Sequence, residues 1–293
     1  MIKRKFGNTG IEVSLPGFGA GHIGNPEMEE KTVGLLLNEI LDLGINLIDT
    51  ARAYGLSEQR IGKLISHRRQ EYILSTKVGY DVEWKPDWTY DSVIGGVDQA
   101  LKLLQTDYID IVHLHSCSKD ILERGDVILA LEHAKQSGKI RFMAYSGENE
   151  ALDYALGTGK FDSIQTSVNI CDQWGISKYL PKAIDSGLGV IAKRPIANAP
   201  WRHTEPPVGH YSEEYWHRLK KMNLEIPATD MQDIAIRFSA FTQGVSTCIV
   251  GSSNLEHIKE SVISVEKGPL SSEMKIYLES RFRENDDNWV GLI

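Results

Sequence analysis

Short runs of apolar, β-branched residues recur along this chain, and longer stretches with helical periodicity separate them. The runs cover residues 14–21, 46–50, 72–78, 109–116, 140–147, 163–168, 189–195 and 246–252. Such runs, apolar on both faces, read as parallel strands covered on both sides. Between them, residues 29–43 place Val33, Leu36, Leu37, Ile40 and Leu41 on one helical face, with Gly44 positioned to close the helix. Residues 91–104, 126–136, 180–186, 230–241 and 255–263 carry similar patterns, and 270–282 reads as an additional C-terminal helix. The segments LDLGINLIDT, KQSGKIRFMAYS and IDSGLGVIAKRP repeat one order: helix end, glycine, strand.

Eight strands alternating with helices predict a (β/α)8 TIM barrel, one domain over residues 1–293. A doubly wound open sheet is the competing fold, but the glycine-rich stretch from Gly17 to Gly21 is not read as its phosphate turn. Ahead of the first strand, KFGNTGIEVS contains an Asn-Thr-Gly turn between extended runs, which predicts an N-terminal β-hairpin over the barrel floor. Residues 196–229 form a long insertion after the seventh strand, and 80–88 an aromatic loop after the third. Both belong on the C-terminal face, where barrel active sites form.

Composition narrows the classes of partner. A hydrophobic fraction of 41% and a charged fraction of 25% are those of an ordinary globular chain able to bury a large core. The net charge of −8 gives no electrostatic reason to expect nucleic acid or an anionic membrane surface. Cys117, Cys171 and Cys248 are odd in number and far apart, which argues against a disulfide framework or a metal knuckle. With no apolar leader and no long apolar run, the expected location is the cytoplasm. The expected partner is a small molecule, with the oligomeric state undetermined.

Three strand ends carry chemistry that an apolar strand has no packing use for. Asp49 ends the second strand and Tyr54 follows it; Lys77 ends the third and His115 the fourth. Burying Asp or Lys alone is costly, so a pair is expected. A lysine beside a tyrosine favours the phenolate and makes the phenol a better acid, and a histidine nearby can donate to a carbonyl oxygen. His113 shares the face of His115 by period two and reads as structural. Lys77 could alternatively be a Schiff-base lysine.

These motifs resemble the aldo-keto reductase family. NLIDTARAYG is similar to its D-T-A-x-x-Y-G signature, STKVG to its strand-three lysine motif, and TDYIDIVHLHS to its strand-four motif, whose histidine lies five residues after the aspartate of Y-I-D. From Asp110 that is His115. The resemblance, running to about residue 263, implies a nicotinamide-dependent reductase of aldehydes or ketones, or oxidation of an alcohol in reverse. Tyr54 would donate the proton, assisted by Lys77, Asp49 and His115. A barrel that binds NADP(H) for regulation or redox sensing is the alternative.

The same resemblance places the cofactor. Gly251, Ser252 and Ser253 enter a helix whose N-terminus suits phosphate. His257 stands where the family has an arginine toward the 2′-phosphate, and Glu260-Ser261 where it has Glu-Asn toward adenine. Ser146 and Gln165 correspond to the carboxamide-binding positions. Lys193-Arg194-Pro195 replaces the usual Tyr-Ser-Pro, which removes a stacking ring and brings cations near the cofactor. Arg194 reads equally as a phosphate ligand or a solvated loop charge. NADP(H) is expected over NAD(H), without a metal. Of the tryptophans in loops after strands, Trp84 and Trp201 are the candidates for walls of the substrate pocket.

Overall fold

Pro16 divides the first predicted run in two. The computed structural model, which describes residues 1–293, places Ser14 and Leu15 in the hairpin and gives Gly17–Gly19 to the barrel. Proline has no amide hydrogen with which to continue a ladder, so a strand boundary at this position is natural. The hairpin strands β1 (Ile2–Lys5) and β2 (Glu12–Leu15) run antiparallel, with Ile2 opposite Leu15 and Lys5 opposite Glu12.

The remaining strands are β3 (Gly17–Gly19), β4 (Leu47–Asp49), β5 (Ile73–Val78), β6 (Ile109–His115), β7 (Ile140–Ser146), β8 (Ser163–Ser167), β9 (Gly189–Lys193) and β10 (Thr247–Val250). They pair in parallel in chain order, and β10 closes onto β3 to complete an eight-stranded barrel. Around it lie α1 (Glu30–Asp42), α2 (Ser57–Ile65), α3 (Tyr90–Leu104), α4 (Lys119–Arg124), α5 (Asp126–Gln136) and α6 (Asn149–Thr158). These are followed by α7 (Trp174–Lys178), α8 (Leu180–Asp185), α9 (Glu213–Met222), α10 (Met231–Ala240), α11 (Leu255–Glu266) and α12 (Ser272–Asn285). The sequence pattern did not foresee α2, α4, α6, α7 or α9. No helix is long and apolar enough to cross a membrane.

Inside the barrel, Phe6, Ile11 and Val13 of the hairpin region pack with Leu47, Ile111, Ala144 and Ile191. Phe6 fills the space that a side chain at Gly189 would need: a Cβ there would lie 2.6 Å from its ring. The floor is therefore a packed apolar plug. A larger core of 52 buried residues lies between the strands and the helices. Toward the C-terminal ends of the strands the interior turns polar. Lys77 pairs in register with His113, His115 with Ser146, Ser146 with Gln165, and Ser167 with Lys193.

The 196–229 insertion does more than edge the mouth. Tyr215 and Met222 of α9 join Met231, Ala235 and Phe238 of α10 and Leu278 and Phe282 of α12 in a second core. Trp201 and Trp289 pack against it.

Candidate active site

Backbone contacts hold Tyr54 in place. After β4 the chain makes a tight turn, with Tyr54 N–H donating to Ala51 O and Ser57 N–H to Tyr54 O, each at 3.0 Å. Leu56 N–H reaches Gly24 O at 3.1 Å. A Cβ on Gly24 would lie 1.7 Å from Tyr54 O, and Gly55 combines a φ of +52° with a Cβ position 2.6 Å from Gly24 O. Only glycine fits either side of this seam. Thr50 Oγ1 donates to Ser57 Oγ at 2.8 Å, and Ser57 Oγ donates to Ala20 O at 2.9 Å, tying the turn to the end of β3.

Beside Tyr54 lies a buried ion pair. Lys77 Nζ is 2.6 Å from Asp49 Oδ2 and donates to Thr50 O at 2.8 Å. The two side chains are 2% and 1% exposed, so neither charge is solvated and each depends on the other. The ammonium is 4.9 Å from the centre of the Tyr54 ring. Burial opposes its charge, but the attraction and hydrogen bonds of Asp49 and Tyr54 outweigh burial and hold Lys77 above the ordinary lysine range. Asp49 Oδ1 accepts from Ser75 Oγ at 2.7 Å, and Ser75 Oγ is 3.1 Å from His113 Nε2. His113 thus anchors the far end of the Lys77–Asp49–Ser75 chain. Burial first, and then Lys77, holds its imidazole well below the usual range.

His115 stands edge-on to Tyr54, with ring centres 6.1 Å apart and planes at 86°. Burial, together with the Lys77 and Lys193 charges, pushes it down to about 3, so the ring is neutral near pH 7. Its Nδ1 is 2.9 Å from Tyr80 Oη.

One cavity of about 620 Å³ runs from Asp49 and Tyr54 to His257 and Ser261 of α11. That size suits a small organic ligand or cofactor. Gln165, Lys193, Arg194, Gly251, Ser252 and Ser253 line it as the sequence suggests. Ser146 stands behind Gln165, donating Oγ–H to Oε1 at 3.0 Å. Glu260 lies outside the lining and accepts from the lining residue Gln232 at 3.4 Å. His257 Nδ1 is 3.2 Å from Ser252 Oγ.

Several lining residues were not foreseen. His22, Arg202, Tyr211 and Gln232 all face this cavity. The Gly19–Gly24 stretch does have G-x-G-x-x-G spacing, which the sequence reading of Gly17–Gly21 passed over. Its second half is a 3₁₀ turn, His22–Gly24, and no α-helix opens at it, so it is not the phosphate turn of an open sheet. The loop after β9 is strained: Arg194, Ala197, Asn198 and Ala199 all have positive φ. Non-glycine residues held in this region cluster at functional sites, and of these four only Asn198 is of a type that adopts it readily.

Neither substrate tryptophan lines the cavity. Trp201 lines a separate pocket of about 230 Å³ with Leu219, Leu224 and Met231, because its ring packs on the second core. Trp84, at φ +62°, turns outward from its loop and is 93% exposed. Arg194 is neither free nor simply solvated. Its guanidinium donates to Tyr211 Oη, to Leu292 O and to Ser167 Oγ, joining the insertion and the C-terminal tail to β8. Lys193 is paired with buried Glu148 at 3.2 Å. Glu148 also accepts from Ser167 N–H at 2.7 Å and Thr166 Oγ1 at 2.6 Å.

The residues fit a dinucleotide. Gln165 Nε2 is buried without a partner, a free donor at the cavity wall. A Cβ on Gly251 would lie 3.1 Å from Gly19 O, so the backbone is bare and close there. Gly251 leads into α11, whose N-terminus is capped by Asn254 accepting from Glu256 N–H at 3.0 Å. Unpaired N–H groups of a helix's first turn suit an anion.

Comparison with known proteins finds similarity over most of the chain. The model of the Aldo/keto reductase family matches residues 17–280. An L-galactose dehydrogenase of Arabidopsis thaliana is 30% identical over 281 residues, covering 89% of this chain and 87% of the relative. The uncharacterized oxidoreductase YqkF of Bacillus subtilis is 28% identical over 311 residues, covering 97% and 98%. Among solved structures, the holo form of the aldo-keto reductase AKR11C1 from Bacillus halodurans superposes with a TM-score of 0.81 at 29% identity, covering 96% of both chains.

Proposed function

The chain belongs to the aldo-keto reductase family, a family of nicotinamide-dependent oxidoreductases, and from that premise we propose that it reduces a small aldehyde or ketone, or oxidises the corresponding alcohol, with Tyr54 as proton donor and NADP(H) as preferred cofactor. One observation carries this most: the buried Lys77–Asp49 pair lies against Tyr54 at the wall of the long cavity. The nicotinamide, when bound, supplies or accepts the hydride.

Each side chain then has a task. Tyr54 Oη gives its proton to the carbonyl oxygen as negative charge develops there. The Lys77 ammonium stabilises the charge left on the phenolate, and Asp49 keeps that ammonium charged. Ser75 fixes the Asp49 carboxylate from behind. His115, neutral, donates a hydrogen bond to the same carbonyl oxygen. Gln165 Nε2 offers its free N–H to the nicotinamide carboxamide, with Ser146 holding the Gln165 oxygen. Gly251, Ser252 and Ser253 at the entrance to α11 bind phosphate, and His257, with Arg202 also lining the cavity, faces the 2′-phosphate.

The Schiff-base alternative loses support. A nucleophilic lysine must be neutral, whereas the partners of Lys77 hold it protonated. NADPH and NADH titrations followed by fluorescence, with turnover over a panel of carbonyl compounds, test the proposal. L-galactose belongs in the panel, in the oxidative direction, because of the name of the plant relative. The expected result is binding of both dinucleotides, NADPH the tighter, and turnover of at least one compound. Failure to bind either dinucleotide overturns the proposal, and binding without turnover favours a regulatory barrel.

A further inference from the structure

We propose that Tyr80 is a positioning residue: its hydroxyl donates to His115 Nδ1 and fixes the imidazole as the Nε2–H tautomer, the one able to donate toward a substrate oxygen. The donation toward substrate rests on the function proposed above. The tautomer itself is a property of the free protein.

The geometry is specific. Tyr80 Oη lies 2.9 Å from His115 Nδ1. The two rings are also stacked, with centres 5.4 Å apart and planes at 24°, so both the hydroxyl and the ring face are engaged. Tyr80 also packs against Trp88, at 5.3 Å between ring centres. Trp88 is itself fixed, since its N–H donates to Gly79 O at 2.6 Å. A Cβ on Gly79 would lie 2.1 Å from the Trp88 ring, and Gly79 sits at φ +131°, so glycine is needed to let the loop fold back in this way.

The proton count decides the direction of the bond. A neutral imidazole has one N–H and one bare nitrogen. His115 is neutral because it is buried near Lys77 and Lys193. Burial, with the negative charge that Tyr54 would carry, keeps the Tyr80 phenol protonated. The phenol O–H therefore needs an acceptor, and His115 Nδ1 is the group at hydrogen-bond distance. If Nδ1 carried the proton instead, the Tyr80 oxygen would have to accept it, and a phenol, whose oxygen lone pair is delocalised into the ring, is a weaker acceptor than it is a donor. Nε2 would then turn a lone pair, not a donor, to the reacting oxygen. Both consequences are unfavourable, and the Nε2–H tautomer avoids them together.

Histidine-selective ¹⁵N NMR of the free protein at pH 7 tests this, because protonated and bare ring nitrogens resonate far apart. His115→Asn identifies the His115 signals by their loss. The expected wild-type spectrum shows a bare Nδ1 and a protonated Nε2. Tyr80→Phe, which keeps the stacked ring, is expected to move His115 toward the Nδ1–H tautomer. It should also lower kcat about threefold to tenfold, with the dinucleotide Kd unchanged. A wild-type Nδ1–H signal, or a tautomer unaltered in Tyr80→Phe, overturns the proposal. The wild-type spectrum decides even where the variant does not fold. Absence of turnover in wild type would count against the proposed activity and leave the tautomer result intact.

Discussion

Asp49 Oδ2 and Lys77 Nζ lie 2.6 Å apart, with almost none of either side chain open to water. Removing one partner leaves the other charge buried and uncompensated. Lys77→Met is therefore expected to lower the unfolding free energy by about 3–5 kcal/mol. The double variant Asp49→Asn/Lys77→Met should be clearly less destabilised than the sum of its single changes. Urea unfolding of the set measures this, and strict additivity would show that the pair is not coupled.

The histidines make stability depend on pH. His115 is pushed down to about 3 by burial, Lys77 and Lys193, while in the unfolded chain it titrates near 6.5. Between those values the unfolded chain binds a proton that the folded one does not, so stability is fully present above about 6.5 and falls as pH drops toward 3. For this one group the loss between pH 7 and pH 5 is about 2 kcal/mol. His115→Gln should therefore lose less stability than wild type over that interval. Equal losses in unfolding experiments at the two pH values would remove the burial account of His115.

Cofactor seating separates into two measurable parts. Gln165 Nε2 is a free buried donor, so Gln165→Leu should weaken NADPH and NADH alike by about tenfold. His257→Ala should weaken NADPH by about tenfold or more and leave NADH nearly unchanged, since only NADPH carries the 2′-phosphate. Fluorescence titration reads both. Equal effects of His257→Ala on the two dinucleotides would place the histidine away from that phosphate.

The barrel and the quartet at its mouth were legible because they rest on local patterns. Buried parallel strands form apolar runs, and Asp49, Lys77 and His115 interrupt such runs at their ends. Helix α2 was hidden for the opposite reason. Its buried face includes Ser57, Glu58 and Arg60 as well as Ile61 and Ile65, so apolar periodicity is broken. Arg60 is satisfied by the carbonyls of Ile23 at 2.6 Å, Asn25 at 2.7 Å and Met28 at 2.6 Å, and Glu58 by Thr76 at 2.6 Å, partners more than fifteen residues away. Nothing near α2 in sequence announces them. The tryptophans misled in a similar way. Loop position places a ring near the mouth but not its direction, and Trp201 turned to the second core while Trp84 turned to solvent. Tyr80, Gln232 and Arg202 become visible only once the loops are folded over the strand ends.

Replacing Tyr54 by phenylalanine tests proton donation most directly. The variant keeps the ring beside Lys77 and removes only the hydroxyl. NADPH oxidation by a good carbonyl substrate is followed by absorbance, beside dinucleotide titration of both proteins. Tyr54→Phe is predicted to bind NADPH with wild-type affinity and to reduce the carbonyl at least about 10²–10⁴-fold more slowly. A variant that binds NADPH and reduces the carbonyl at a rate near that of wild type would contradict the assignment of Tyr54 as proton donor.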